Sequence, residues 1–477
     1  MNGPIVRVFG VTLVLFALLI GVTSRWTVFD RSSLQDNPQN KRALIAQQRI
    51  DRGRILAADD QTLARSVRRS DGAYTRRYPL RGLFAHPVGY SYLNPGTAGL
   101  ERFYNGELTG RSEGLQNALR RLQGKHRQGD DLHTSLDPVA QQVALDQLRG
   151  RPGAVVAMDP RTGRVEVMAS VPGYDPNTLR SAAQTTRLNT ALGSPLFNRV
   201  TQSGYPPGST FKVVTAIAAI DSGKYEPTSV VDGTNGIKIS GVPLNNDGGE
   251  SFGKIDLTTA LTHSVNTVWA QVGEDVGPRT MQRYMNRLGF PEPVAVDLPD
   301  SERRPSGEFC KGRFVRATNR CVDVGRMAIG QDKLQVTPLQ MAMVAASVAN
   351  GGVLMHPYMA TRAVDAEGRT TLQNDPKEIS RVMSPETADK VTAMMTQVVK
   401  EGTGTAAALT GIDVAGKTGT AERDVANNIT QPWFIAFAPA AAPRVAIAVT
   451  IERSVGGFGG TEAAPIAKAV MESLLKR

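Results

Sequence analysis

The chain is poor in the residues from which most hydrolytic and metal-dependent sites are built. It has five histidines in 477 residues and no His-x-x-x-His pair, which excludes the helical zinc-hydrolase pattern and a histidine-rich metal centre. A nucleophilic serine here needs a base other than a neighbouring histidine. Cysteine is nearly absent. Cys310 and Cys321 are separated by ten residues, show no zinc-ligand spacing, and suit a structural disulfide in an oxidising compartment. Acidic residues are also short, 44 against 55 Lys and Arg, for a formal net charge of +11. No zinc spacing, strip of interleaved basic and aromatic residues, or other nucleic-acid motif accompanies that charge, so no nucleic-acid partner is expected. The excess is concentrated early, with 18 Lys or Arg against 12 Asp or Glu over residues 26 to 137. Such a segment after a membrane helix suits acidic lipid headgroups or polyanionic wall material, as well as ordinary solvation.

What is present starts with one apolar run. Val8 to Val22 is uncharged for fifteen residues, about 23 Å of helix against a hydrocarbon core of roughly 30 Å. Extending it to Ile5–Thr23, with Arg7 reaching back to the inner surface, nearly closes the gap. No small-x-small cleavage site precedes Arg25 and Trp26. This predicts an uncleaved single-pass anchor, N-terminus inside and the remainder outside. A chain this long holds at least two further units. We assign 1–25 to the cytoplasmic tip and anchor, 26–150 to an extended non-catalytic segment opening on a polar linker at 31–48, and 151–477 to a second domain.

From Pro152 the texture changes. GAVVAMD and RVEVMASV flank a Pro-Arg-Thr-Gly turn and read as a β-hairpin. Helices are expected from Asp256, over Asp275–Pro291 and Pro338–Asn350, and between Ser384 and Gly402. Strands follow over Ile412–Glu422, Trp433–Ala438 and Val445–Glu452, then a helix burying Ala463, Ile466, Ala467, Val470 and Leu474. Two strands, a helical block, three strands and a final helix predict an α+β domain, one antiparallel sheet with helices on its faces.

Chemistry enters at GYPPGSTFKVVTAIAAI, Gly204 to Ile220. Ser209 and Lys212 are three apart at the start of an apolar helix, so one face carries both a hydroxyl and an amine able to take its proton. Ser-x-x-Lys recurs at Ser251/Lys254 and Ser473/Lys476, but only Ser209 is followed at separate-element spacing by Ser264-Val265-Asn266 and then Lys417-Thr418-Gly419-Thr420. Residue type suggests the roles. Ser209 attacks an acyl carbon, and Lys212 is kept neutral by burial and by the charge of Lys417. Ser264 relays a proton to the leaving amine, and Asn266 holds Lys212 and a substrate amide. Lys417, Thr418 and Thr420 suit a carboxylate, Gly419 leaves room for a substrate backbone, and the Ser209 and Thr420 N–H groups are oxyanion-hole candidates. His263 reads as a structural neighbour, Trp269 and Trp433 as core, and Gly456–Glu462 as a flexible cleft wall.

The ordered triple resembles the signature of penicillin-binding proteins and serine β-lactamases, and the whole chain resembles the class B penicillin-binding proteins, most of all the short actinobacterial A type. Arg52-Gly53-Arg54-Ile55 is similar to the family's RGxI element, Gly99-Leu100-Glu101 to its GxE element, and Gly330-Gln331 with Thr337-Pro338-Leu339-Gln340 to its GQ and TPLQ segment. The resemblance implies a five-stranded antiparallel sheet between helices, an extended pedestal of dimerisation-domain type, and no cofactor or metal. It also implies D,D-transpeptidation of peptidoglycan stem peptides on glycan made from the lipid-linked precursor, in growth or division, with acylation of Ser209 by β-lactams. A SEDS-family membrane glycosyltransferase partner at the cytoplasmic membrane is implied in the same way. Ser-Val-Asn in place of the Ser-Asp-Asn of class A β-lactamases suits a transpeptidase.

Overall fold

The computed structural model describes residues 2–25, 48–110, 128–424 and 426–476. The N-terminal run forms helix α1, Asn2–Ser24. Its 23 residues reach about 34 Å, so it is long and apolar enough to cross a membrane. The expected linker at 31–48 lies, apart from Gln48, outside the described residues.

In chain order, four strands come first: β1 Ile55–Leu56, β2 Thr62–Arg68, β3 Tyr74–Arg77 and β4 Asp131–Thr134. Helix α2, Pro138–Leu148, begins where Asp137 accepts the Ala140 N–H at 2.9 Å. The expected hairpin forms as β5 Gly153–Met158 and β6 Val165–Val171. Helices α3 Lys212–Asp221, α4 Leu257–Thr262, α5 Asn266–Val276 and α6 Pro338–Ala349 make up most of the middle block. Asp256 caps α4 through the Thr259 N–H at 2.7 Å. The helix expected over Asp275–Pro291 is instead broken at Gly277, φ 81°, and resumes only over Pro278–Arg287. Strands β7 Ala360–Val364 and β8 Thr370–Gln373 precede helix α7, Pro385–Lys400; then come β9 Ala415–Asp424, β10 Ile429–Ala438, β11 Val445–Ile451 and helix α8, Ala464–Leu475.

Two sheets organise these elements. The larger runs β9-β10-β11-β5-β6, antiparallel throughout, with Ser454–Val455 adding a short pairing to β10. Every residue of β10 is buried, as a strand covered on both faces requires. Helices α2 and α8 cover one face, where Ala144, Leu148, Ile466 and Val470 pack with Val155, Ile447 and Val449. On the other face α6 brings Met341, Val344 and Ala345 to the core that holds Val156, Ile435 and Ala448.

The second sheet gives regular structure to part of the segment expected only as extended over 26–150. Its order is β8-β7-β4-β1-β2-β3, so two of its six strands come from residues 360–373. Ala363 pairs with Leu132, and Leu132 with Ile55. Beneath it lies a buried charge cluster that joins the RGxI and GxE elements. The Glu101 carboxylate, fully buried, takes Arg52 Nε at 2.6 Å and Arg76 Nε at 2.5 Å. Burial pushes the Glu101 carboxyl up, but Arg76 and Arg52 outweigh it and hold it below its ordinary value. The approach is tight at Gly53, where a Cβ would stand 1.9 Å from the Asp130 carbonyl oxygen.

Candidate active site

Ser209 lies in a 3-10 turn, Gly208–Phe211, that runs directly into α3. That turn is seated by three close backbone approaches. Gly208 has φ 54°, and its N–H donates to the Gly330 carbonyl at 3.0 Å. Any Cβ on Gly330, itself at φ 78°, would stand 1.9 Å from the Gly208 carbonyl oxygen. Just upstream, Tyr205 and Val336 exchange backbone hydrogen bonds of 2.9 and 2.8 Å. The nucleophile is thus fixed by a frame that only glycine permits at two positions.

Lys212 is fully buried. Its Nζ lies 2.6 Å from the Ser264 carbonyl oxygen, 2.6 Å from Asn266 Oδ1 and 3.2 Å from Ser264 Oγ. The first two are acceptors only, so in a neutral amine they take both N–H hydrogens and leave the lone pair for a hydroxyl proton. Burial, then the charge of Lys417, depress the Lys212 ammonium well below the usual lysine range. Both causes were expected from the sequence. Ser264 stands in the turn between α4 and α5 at φ 60°, an unfavourable region for a residue with a Cβ, and so presents its carbonyl and its hydroxyl to the same amine. Asn266 turns its other end to the Asn245 carbonyl, Nδ2 to O 3.1 Å. The neighbouring Asn246 Oδ1 accepts the Thr267 N–H at 3.0 Å, tying the 245–246 loop to the first turn of α5.

Lys417 is also fully buried, on β9 at the edge of the larger sheet. Its Nζ donates to the Thr418 carbonyl at 3.1 Å and to Thr418 Oγ1 at 3.3 Å. Burial brings its pKa down to about 7. Thr420 pairs with Pro432, which has no N–H to give. Thr450 Oγ1 donates to the Pro432 carbonyl from the β11 side at 3.2 Å, so the Thr420–Pro432 pair is of the non-hydrogen-bonded kind. The N–H and C=O of Thr420 therefore point off the sheet edge, and a Cβ on Gly208 would meet that carbonyl oxygen at 2.8 Å. The edge of β9 faces the Ser209 turn.

Gly419 has a structural reason beside the expected passage of a substrate backbone. A Cβ there would lie 2.8 Å from the Pro207 carbonyl oxygen and 2.9 Å from Thr210 Cγ2, so the glycine lets the strand press against the nucleophile's own turn. The stretch Gly456–Glu462 is likewise not a loose wall. Gly459 donates its N–H to Thr420 Oγ1 at 3.3 Å, and Glu462 pairs with Arg151 at 3.0 Å and accepts Ser454 Oγ at 2.6 Å.

Of the rival serines, Ser251 accepts the Asn235 N–H at 3.2 Å in an exposed loop, and Ser473 sits on α8; neither has the other motifs around it. His263 is exposed and stacks on Phe252, while Trp269 and Trp433 are fully buried. Cys310 and Cys321 are both free thiols and lie close enough to interact. Sequence reasoning gave no role to Thr403, whose Oγ1 lies 2.6 Å from Thr418 Oγ1, nor to Asn245 and Asn246. Only the Gly402-Thr403-Gly404 stop after α7 hinted at a backbone forced close to something. Among the described residues no group of three His, Cys, Asp or Glu could hold a metal ion.

The two depressed lysines make a specific pH expectation. As pH falls, Lys212 protonates and loses its lone pair, giving an acid limb in the rate of acylation. As pH rises through about 7, Lys417 loses its charge and with it the attraction for a carboxylate-bearing acylating agent. The profile of kcat/KM against pH is therefore expected to be bell-shaped. In Lys417→Arg the alkaline limb should vanish whatever the absolute rate, since arginine stays charged; an unchanged limb would remove Lys417 as its source.

Comparison with known proteins agrees with this geometry. Residues 153–472 match the family described as the penicillin binding protein transpeptidase domain, and residues 52–132 the penicillin binding protein A dimerisation domain. The chain is 34% identical over 502 aligned residues to the peptidoglycan D,D-transpeptidase PbpA of Mycolicibacterium smegmatis, covering 100% of this chain and 99% of that protein. Among solved structures it is similar to penicillin-binding protein A from M. tuberculosis. The ceftriaxone acyl-enzyme complex gives a TM-score of 0.82 at 32% identity, covering 90% of this chain and 100% of that one. The penicillin G acyl-enzyme complex gives 0.79 at 32% identity, covering 89% and 99%. With the dimerisation-domain match ahead of it and the three motifs gathered around one turn, the chain belongs to the penicillin-binding protein transpeptidase family.

Proposed function

We propose that the protein is a monofunctional serine D,D-transpeptidase that cross-links peptidoglycan stem peptides. The observation that carries this reading is the buried Lys212 amine, held between Ser264 and Asn266 on the same face as Ser209. A stem peptide ending in D-Ala-D-Ala lies along β9, its terminal carboxylate at Lys417, Thr418 and Thr420. Ser209 Oγ attacks the penultimate carbonyl, and its proton passes to Lys212. The oxyanion is received by the N–H groups of Ser209 and Thr420. The C–N bond breaks, the leaving D-Ala amine takes the proton by way of Ser264, and an ester remains on Ser209. An amine of a neighbouring stem then attacks that ester and returns a proton to Ser209 Oγ through the same relay. A β-lactam enters at the first step, and its ring-opened ester stays on Ser209.

The same reading assigns residues 1–25 to the anchor, 26–150 to the pedestal and 151–477 to the transpeptidase domain. The N-terminus is inside the cytoplasmic membrane and the catalytic domain outside it, with a SEDS-family glycosyltransferase supplying the glycan. Labelling with benzylpenicillin and mapping the adduct by mass spectrometry is the test. One adduct on Ser209, retained for hours, is expected; an adduct elsewhere refutes the assignment, and release within seconds would make the protein a β-lactam hydrolase.

A further inference from the structure

Residues 62–81 hold six arginines and one acid, and the mechanism uses none of them. Two have internal partners: Arg76 is turned inward to Glu101 and Arg69 pairs with Asp71. The rest of the β2–β3 hairpin is unusual. Arg65 stands directly opposite Arg77 in the register, and Val67 opposite Thr75 on the same side. Arg65, Arg68 and Arg77 are exposed, as is Val67 at 38%, and none of the three arginines forms an ion pair among the described residues. Like charges directly opposite on neighbouring strands repel and weaken the pair unless something anionic lies over them. The hairpin has a core face, through Ser66 and Arg76, and an outer face of two unneutralised guanidiniums beside an exposed aliphatic side chain. Strand β3 is also the edge of its sheet.

A second observation says what could lie over that face. The next described residue after Arg25 is Gln48, and its carbonyl accepts the Tyr74 N–H at 2.6 Å, where β3 begins. The chain that leaves the apolar helix at Arg25 therefore joins the folded part at this hairpin. Residues 26–47 can span at most about 75 Å when fully extended, so no part of the folded protein is closer along the chain to the helix.

From this juxtaposition we infer that the outer face of the β2–β3 hairpin, Arg65, Val67 and Arg77, docks on the anionic phospholipid headgroups of the membrane that holds α1. Guanidiniums bind phosphate oxygens in bidentate fashion, and a short aliphatic side chain beside them reaches the headgroup–acyl boundary. The inference rests on reading α1 as a membrane anchor, and the two can fail separately.

The test is hydrogen–deuterium exchange by mass spectrometry on the full chain, reconstituted in nanodiscs of neutral phosphatidylcholine and in nanodiscs with one third phosphatidylglycerol. Co-purification with neutral nanodiscs tests the anchor alone; a chain that does not associate with them overturns the anchor reading. For the docking face, exchange in peptides covering 62–77 is expected to slow at least threefold in the anionic discs. The effect should be lost in 0.5 M salt and in Arg65→Gln/Arg77→Gln, while peptides covering 313–320 stay unchanged. The variant should keep wild-type penicillin labelling of Ser209, which shows that it is folded. Equal exchange in both discs overturns the inference. So does equal slowing in neutral discs on addition of soluble polyphosphate, which would make the hairpin a general polyanion site.

Discussion

Replacing Lys212 by alanine is expected to cost about 10²–10⁴-fold in the second-order rate of acylation by benzylpenicillin, the range for loss of a positioned general base. The expectation for Ser264→Ala is milder, and the reason is geometric. The short contact at 2.6 Å from Lys212 Nζ goes to the Ser264 backbone carbonyl, which alanine retains, and only the 3.2 Å contact to Oγ is lost. One hydrogen bond is worth about a kcal/mol net, so a loss near tenfold is expected. Stopped-flow acylation of the two variants, both checked for folding, decides the matter. Equal losses, or a greater loss at Ser264, would mean that lysine is not the base.

The second large effect is on stability. Glu101→Ala leaves the Arg52 and Arg76 guanidiniums buried with no carboxylate, and breaking a buried pair by removing one partner costs about 3–5 kcal/mol. Denaturant unfolding of the full chain, read on the transition that includes the second sheet, should show that loss. Penicillin labelling of the folded fraction should stay within a few-fold, because Glu101 touches nothing at Ser209. Replacing all three charges together, Arg52→Met, Arg76→Met and Glu101→Leu, should recover much of the stability, since the desolvation of the ions disappears with them. A single-variant loss below about 1 kcal/mol would show that water reaches the cluster.

These two sites differ in how far sequence could reveal them. Ser209, Lys212, Ser264, Asn266 and Lys417 were legible because each motif is local and their order along the chain distinguishes one Ser-x-x-Lys from three. The depressed Lys212 followed from an apolar helix around a single amine. The strands β5, β6, β10 and β11 announced themselves by apolar runs that a sheet covered on both faces demands. What stayed hidden depends on approaches between distant segments. No pattern in 49–137 shows that β7 and β8 will complete its sheet, because β1 is two residues long and its partners are elsewhere. The structural reason for Gly419 could not be read without knowing that the Pro207 carbonyl oxygen passes 2.8 Å from its absent Cβ. The Arg52–Glu101 contact likewise links two elements whose spacing says nothing about proximity.

The shared sheet has a consequence for biosynthesis. Strands β1 to β4 leave the ribosome early, yet the edge of β4 finds its neighbour β7 only after more than two hundred further residues have been made. At typical elongation rates that is roughly ten seconds or more. During that interval the nascent chain presents an open strand edge, a template for misplaced pairing. A chaperone has something definite to protect: the Asp131–Thr134 edge, until the Ala360–Val364 strand arrives to close it.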